Sequence, residues 1–320
     1  MSTALLILAY NEENKIEQVI NDFKSIFTKL IVIDDASTDR THEILQKLSV
    51  KTNNLEIIKN NKNQGAGKSF EVGIHAFLKS DYKNLIKIDG DNQFKFEDVL
   101  KIKNILDQNE FAFIKCDRFW SSGIEGNIPN IRYLGNSFAS LLIKLSTGIW
   151  NLNDPLNGLY GMNRDSLKNF QLPKLFNRYG YPFFVSNYFA NLGYSNGSKI
   201  AQIKNTIKYG DEKSDLKAFT MLFKLTYFVI RNFYTGIKFK LRYSNLQTPA
   251  LLDIFANLFL FLSSFSIIRF LQIRYFGSLG PQGNWFILFI IFLILFFMLL
   301  VSSRSRLNKL SETFFEQLSL

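Results

Sequence analysis

Seventeen consecutive residues, Trp285 to Val301 (WFILFIIFLILFFMLLV), carry neither a charge nor a polar break. Ser302 and Ser303 extend the run to roughly 28 Å of helix at about 1.5 Å per residue, enough to cross the hydrocarbon core of a bilayer. A second candidate span runs from Pro249 to Ile268, with Asp253 and Asn257 near its start. Gly277, Gly280, Pro281 and Gly283 lie between the two, so the pattern predicts a helical hairpin with a tight connection. Residues 216–320 hold 18 of the 33 Phe. The near-zero mean hydropathy of the 320-residue chain is therefore an average over a membrane part and a soluble part.

Charge around the hairpin predicts its orientation. Lys238, Lys240 and Arg242 precede it, Arg304, Arg306 and Lys309 follow it, and the connection has only Arg269 and Arg274. By the positive-inside rule both flanks are cytoplasmic. Ala4 to Tyr10 has no basic flank and runs straight into Asn11-Glu12-Glu13, which reads as a buried strand and not a signal peptide. The expectation is an integral protein of a bacterial inner membrane or its equivalent, with both termini in the cytoplasm.

Between these parts, Lys217, Lys224, Arg231 and Lys238 recur every seven residues. A helix drifts only about 20° per heptad, so they form one stripe, with Phe219, Phe223, Phe228 and Phe233 on other faces. This predicts an interfacial helix over 216–245. An ordinary domain helix with a solvated basic face is the plainer reading. From Lys204 to Tyr243 there are nine basic and three acidic residues, within a whole-chain net charge of +11.

Residues 1–115 alternate strand candidates (Ala4–Ala9, Leu30–Ile33, Leu55–Lys59, Leu85–Ile88, Phe111–Lys115) with helix candidates (Glu13–Phe27, Arg40–Leu48, Ala66–Leu78, Phe96–Asp107). That rhythm predicts an α/β fold with a mostly parallel sheet and a ligand site beyond the C-terminal strand ends. The polar clusters fall there: Tyr10-Asn11-Glu12, Asp34-Asp35 and Asp89-Gly90-Asp91. One cysteine, Cys116, and two histidines, His42 and His75, exclude a disulfide framework, a thiolate zinc cluster and a multi-histidine site. Gln64-Gly65-Ala66-Gly67-Lys68-Ser69 fails as a P-loop, because Lys62 stands where that pattern needs Gly, and no GxGxxG follows the first strand. Asp89, Asp91 and Gln93 place oxygen donors two residues apart at a strand end, which favours Mg²⁺ or Mn²⁺ shared with substrate phosphates. Taken alone, the same residues also read as a solvated turn.

Four ordered motifs carry a resemblance: Ala9-Tyr10-Asn11-Glu12-Glu13, Ile33-Asp34-Asp35 through Thr41, the Asn63–Gly67 turn, and Asp89-Gly90-Asp91. Over residues 3–215 the chain resembles family 2 glycosyltransferases of the GT-A fold. Gln93, Arg118, Arg132 with Gly135-Asn136, Asp154 through Gly158, and Tyr209 through Ser214 sharpen the likeness toward polyprenyl-phosphate glycosyltransferases, similar to dolichyl-phosphate mannose synthases.

The resemblance implies roles. Tyr10, Glu12 and Asp35 hold the nucleoside of a UDP- or GDP-sugar, with Leu8 and Ile33 beside them at the strand ends. Asp89, Gly90 and Asp91 meet the donor, Asp89, Asp91 and Gln93 the metal, and Lys213 faces phosphate charge. Arg118, Arg132 and Asn136 receive the lipid phosphate. Asp91, Asp154 and Arg118 form the catalytic group, with Asp154 as base or sugar-orienting residue. Three departures stand out: Leu8 replaces the usual Pro, Cys116 the usual Gly, and no acid stands near Arg178-Tyr179.

The chemistry suits these residues. A phosphate acceptor is already an anionic nucleophile, so a chain with two histidines need supply no strong base. It must bring two anions together, which Arg and Lys do, and attack opposite the leaving diphosphate inverts the anomeric centre. The expected organisation is a cytoplasmic GT-A domain at 1–215, an amphipathic helix at 216–245, a hairpin at 249–303 and a short tail at 304–320. A non-processive family 2 enzyme acting on a saccharide-lipid or polysaccharide is the alternative, since the Arg-Trp pair of processive synthases is absent. A non-catalytic membrane scaffold is the second, and a homo-oligomer stays open. No aromatic–basic RNA motif accompanies the positive charge, which excludes nucleic acid as the expected partner.

Overall fold

The computed structural model of the chain describes residues 3–119, 130–205, 218–277 and 280–319, with backbone alone at 130–132, 218 and 219. In chain order the elements are β1 (Thr3–Ala9), α1 (Ile16–Phe23), β2 (Lys29–Asp34), α2 (Thr41–Lys51), β3 (Leu55–Lys59), α3 (Ala66–Leu78), β4 (Asn84–Asp89), α4 (Phe96–Asp107), β5 (Phe113–Asp117) and α5 (Asn130–Thr147). They continue with β6 (Tyr160–Asn163), α6 (Arg164–Leu167), α7 (Tyr181–Asn196), β7 (Ile200–Lys204), α8 (Ala218–Leu241), α9 (Gln247–Phe276), α10 (Gln282–Ser311) and β8 (Phe315–Leu318).

The strands form one sheet in the order β3-β2-β1-β4-β6-β5-β7-β8. Every neighbouring pair is parallel except those of β6, which runs antiparallel to both β4 and β5. β4 and β5 therefore point the same way, two strand spacings apart, or roughly 10 Å. β1 is buried along its whole length, as a strand covered on both faces must be. On one face Ile16, Val19, Ile20 and Phe23 of α1, spaced for a single helical stripe, pack with Leu5, Ile7, Val32 and Ile86. The alternation in the sequence thus yields a mostly parallel α/β sheet with its elements in the expected places.

The chain divides into two compact units. One holds residues 1–144, 151–227 and 314–320, and the other 145–150 and 228–313. The end of the chain, expected as a short tail, instead contributes β8 to the sheet of the first unit. Ile200 N–H donates to the Phe314 carbonyl (2.7 Å), and Phe314 meets Tyr194 edge-on at 5.0 Å. A Cβ on Gly193 would lie 2.3 Å from the Phe314 ring, so only glycine leaves that slot open.

The second unit is built on α9 and α10, each 30 residues long. Both are apolar and long enough to span a bilayer. Their outward side chains include Phe261 at 66% and Val301 at 63% exposure. They pair antiparallel through Phe259–Phe292, Phe265–Trp285 and Phe270–Phe286, with Ser263 donating to the Phe289 carbonyl at 3.3 Å. At the foot of the pair, buried Asp253 meets Lys240 at 2.5 Å and Arg304 at 3.4 Å, and Arg304 stacks on Phe233. Two of the six flanking cations thus neutralise a buried carboxylate of the hairpin.

Candidate active site

Parallel register aligns the strand tips. Leu8 of β1 pairs with Asp89 of β4, and Ala9 with Asp34 of β2. The loops leaving β1, β2 and β4 therefore start side by side, and Tyr10–Glu12, Asp34–Asp35 and Asp89–Asp91 share one row.

The β1 loop is stitched to the β2 loop. Asn11, in the left-handed region at φ 58°, accepts the Thr38 N–H on its side-chain oxygen at 2.8 Å, and Glu12 N–H donates to Thr41 Oγ1 at 2.7 Å. Tyr10 stays exposed. Buried Asp34 accepts the Ser37 N–H at 2.9 Å and lies 3.0 Å from His42 Nδ1. Asp35, the expected nucleoside contact, binds the next loop: it accepts N–H bonds from Asn60 Nδ2, Gln64 and Gly65 at 2.7–2.9 Å. Amides at the start of α3 are engaged by protein too, with Gly67 and Lys68 donating to the Arg178 and Asn177 carbonyls at 3.0 and 2.7 Å. The P-loop-like stretch is thus a clamp on the 177–178 segment.

The Asp89–Asp91 turn is the acidic centre. Gly90 N–H donates to the Leu8 carbonyl at 2.8 Å, and Asp91 accepts the Gln93 N–H at 3.2 Å. Burial, then repulsion from Asp91 and Asp89, pushes the Glu12 carboxyl up to about 7. Burial and the Asp89 charge push Asp91 up to about 6. Glu12, Asp89 and Asp91 are thus three carboxylates in mutual repulsion that a bound cation would relieve. Among the described residues no three His, Cys, Asp or Glu close a cage around a metal. Two carboxylates fit a divalent ion whose remaining ligands come from phosphate and water. The metal that the resemblance implies therefore fits Asp89 and Asp91.

Sequence reasoning missed what sits beneath this turn. Lys87, almost fully buried, reaches Asp89 Oδ1 at 2.6 Å, with its ammonium over the Tyr160 and Tyr181 rings at 5.8 and 5.5 Å. Asp89 Oδ2 lies against Gly158, where a Cβ would come within 2.5 Å. The one available signal was Lys two residues before Asp at a strand end, which puts both side chains on one face. Lys115 and Asp117 repeat that pattern in β5.

At the tip of β5, Arg118 and Asp154 form a two-pronged pair, Nε–Oδ2 2.7 Å and Nη2–Oδ1 2.6 Å, and Arg118 N–H also donates to Oδ2 at 3.1 Å. Asn157 donates to Oδ2 at 3.2 Å and to Asn205 Oδ1 at 3.0 Å, and buried Lys115 Nζ donates to the Asp154 carbonyl. Burial alone would raise the Asp154 carboxyl, but Arg118 and Lys115 outweigh it and hold it below the ordinary value. Asp154 sits at φ 46°, an uncommon conformation for a non-glycine residue that the four converging donors fix in place. Asp117, likewise missed, accepts from Phe119 N–H and Gln202 at 2.9 and 3.1 Å.

Residues 4–170 match the family model described as glycosyl transferase family 2. The chain belongs to that family. Its sheet is the GT-A fold, and the protein is a glycosyltransferase. It is 30% identical over 215 residues to an uncharacterized protein of Methanocaldococcus jannaschii, covering 65% of this chain and 88% of that one. It is 24% identical over 177 residues to the UDP-N-acetylglucosamine–dolichyl-phosphate N-acetylglucosaminyltransferase of Methanococcus voltae, covering 51% and 70%. The dolichol-phosphate mannosyltransferase of Pyrococcus furiosus is 25% identical over 178 residues, covering 54% of this chain and 49% of that one.

Of the expected site residues, the glycosyltransferase fold brings Leu8, Tyr10, Glu12, Ile33, Asp35, Asp89, Gly90, Asp91 and Gln93 to one row of loops, and Arg118 with Asp154 to a second point on the same sheet end. Asn136 lies in α5, as does Arg132, whose side chain is outside the described residues. Lys213, with Tyr209 through Ser214, lies outside the described residues altogether.

Proposed function

We propose that this family 2 glycosyltransferase moves a sugar from a nucleotide-sugar to a polyprenyl phosphate held in a membrane, with inversion at the anomeric carbon. The observation that carries the reading is the repelling acidic row, Glu12, Asp89 and Asp91, in a chain that also holds two bilayer-length helices. An acidic row at parallel strand tips suits a divalent ion and the diphosphate of a leaving nucleotide. A lipid acceptor gives an apolar hairpin a reason to share a chain with that row. Names of two relatives support the acceptor class, since both contain a dolichyl or dolichol phosphate.

Asp89 and Asp91 would hold the metal, with Gln93 beside them. Bound there, Mg²⁺ or Mn²⁺ would supply Lewis-acid stabilisation of diphosphate charge. Tyr10, Glu12 and the Asp35-anchored loop form the donor side. Lys87 holds one oxygen of Asp89 and so fixes the direction of the other. On the acceptor side Arg118 receives the lipid phosphate, joined by Arg132, Asn136 and Lys213. Asp154 acts here as a positioning residue: its carboxylate is buried and fully engaged, so it aims the guanidinium and takes no proton. The phosphate oxygen attacks the anomeric carbon opposite the diphosphate, the C–O bond to phosphate forms as the bond to the nucleotide breaks, and no base is needed. The 1–215 domain lies in the cytoplasm, with 216–245 at the membrane surface and 249–303 as the anchor.

The test uses membranes carrying the protein, labelled UDP-GlcNAc, UDP-glucose or GDP-mannose, polyprenyl phosphate, and Mg²⁺ or Mn²⁺. Label should enter the organic phase, stop with EDTA, and be lost in Asp91→Ala. Label only in a water-soluble polymer would establish the polysaccharide reading instead, and no transfer to polyprenyl phosphate from any of these donors would overturn the acceptor assignment.

A further inference from the structure

Lys87 is a cation in the middle of a buried sheet. It pairs with Leu6 of β1 on one side and with Tyr160 of β6 on the other, and it is wholly buried. A lysine is almost never enclosed in this way unless a partner offsets its charge. The partner is Asp89, two residues on, whose Oδ1 lies 2.6 Å from Nζ. The Tyr160 and Tyr181 rings face the ammonium at 5.8 and 5.5 Å, which adds cation–π attraction without adding charge. Gly158 leaves room for both members of the pair: a Cβ there would stand 2.5 Å from Asp89 Oδ2 and 3.1 Å from Lys87 Nζ.

This pair changes what an arriving ion meets. Glu12, Asp89 and Asp91 repel one another, yet one of the three is already matched. Asp89 Oδ1 is taken by the ammonium, which leaves Oδ2 and the Asp91 carboxylate for a metal. The Lys87 charge reaches Asp91 as well, where it works against the upward push on that carboxyl. A fixed cation beneath the turn attracts these carboxylates and repels any divalent ion that they hold. A nucleoside diphosphate brings negative charge and oxygen ligands of its own, and so restores the attraction that Lys87 removes.

We propose that Lys87 is the resident counter-ion of Asp89, so that the acidic row holds a divalent ion weakly by itself and firmly only together with the diphosphate of the nucleotide. This assignment rests on the reading of Asp89 and Asp91 as metal ligands. Lys87 lies beneath the turn and acts through Asp89; it is a positioning residue. Metal and donor then bind as one unit, and the ion departs with the nucleoside diphosphate product. Without Lys87 the ion stays behind on the carboxylates.

Mn²⁺ binding tests this without turnover. Full-length protein in detergent is titrated with Mn²⁺, and the free ion is read from its electron paramagnetic resonance signal. Titrations are run above the Glu12 and Asp91 values of about 7 and 6, with and without UDP or GDP, and each nucleotide is titrated alone for subtraction. The unchanged protein should bind Mn²⁺ weakly alone and more tightly with a nucleotide. Lys87→Met should bind Mn²⁺ alone about tenfold tighter or more, and adding Asp91→Asn should abolish that gain. Lys87→Arg keeps the charge and should keep the weak binding. Asp89 retains 35% exposure, so Lys87→Met strands no buried carboxylate; thermal melts check its fold, and Lys87→Gln serves as a second neutral variant. Neutral variants that bind Mn²⁺ no tighter than the unchanged protein overturn the proposal, as does unchanged protein that binds it equally well without nucleotide. The metal reading itself fails only if the nucleotide-dependent binding is missing or survives Asp91→Asn, and the proposal falls with it.

Discussion

At the residue scale the site holds charges that work against stability. Asp91 and Glu12 titrate near 6 and 7 because burial and neighbouring carboxylates disfavour their anions. Their folded values lie above the unfolded ones, so the stability they contribute is full below about pH 4 and is lost as pH rises through 6 to 7. Asp91→Asn should therefore lower kcat by about 100-fold or more, yet raise the melting temperature at pH 7.5 in EDTA. Its melting temperature should also depend less on pH between 4 and 7 than that of the unchanged protein. Thermal melts across that range check both points, and a variant that melts lower would sink the idea of stored repulsion. Arg118 and Asp154 make the opposite case. Asp154 is wholly buried, whereas the Arg118 side chain keeps 15% exposure. Arg118→Ala strands a buried carboxylate and should cost about 3 kcal/mol. Asp154→Asn leaves a guanidinium that can reach water and should cost less. Urea titration of both variants ranks them.

At the element scale, the β-α alternation was readable because each period is local: α3 and α4 run over the expected residues, and β1 to β5 fall within a few residues of them. β6 and β8 were not readable. Each is four residues long, and pairing, not periodicity, defines it. β8 depends on Phe314 entering the slot at Gly193 and on Phe315 pairing with Ile200. Phe314→Ala should cost about 3 kcal/mol, and limited proteolysis should then release the C-terminal residues before the rest of the sheet is cut. A C-terminus that stays protected would show that β8 holds without its anchor.

At the scale of the whole molecule, β8 returns to the sheet of β1 after both bilayer-length helices, so both described ends of the chain belong to one folded unit. The hairpin is thus an insertion between β7 and β8. A chain ended at Tyr243 would lose β8, open the edge of β7 and expose the Gly193 slot, and unpaired edges template aggregation. That truncated protein should aggregate, while joining residues 312–320 to it through a short Gly-Ser linker should restore a monodisperse domain. Size-exclusion chromatography of the two distinguishes this from a hairpin that matters only for anchoring. Asp253, Lys240 and Arg304 join three helices of the other unit through buried charges. Removing one member leaves the others unpaired, so Asp253→Leu should sharply lower the yield of folded protein in detergent.

Sequence alone determined whatever is written in short-range pattern: the apolar runs of α9 and α10, the β-α order, and the acidic strand ends Glu12, Asp35, Asp89 and Asp91. Period, burial and turn chemistry act over a few residues and need no partner to be read. Tertiary structure decided which charges meet. It gave Asp35 to the Asn60–Gly65 loop, Asp154 to Arg118, Asp89 to Lys87 and the last strand to β7. These outcomes depend on contacts between residues mostly far apart along the chain, where a carboxylate finds the nearest donor that the packed sheet leaves within reach.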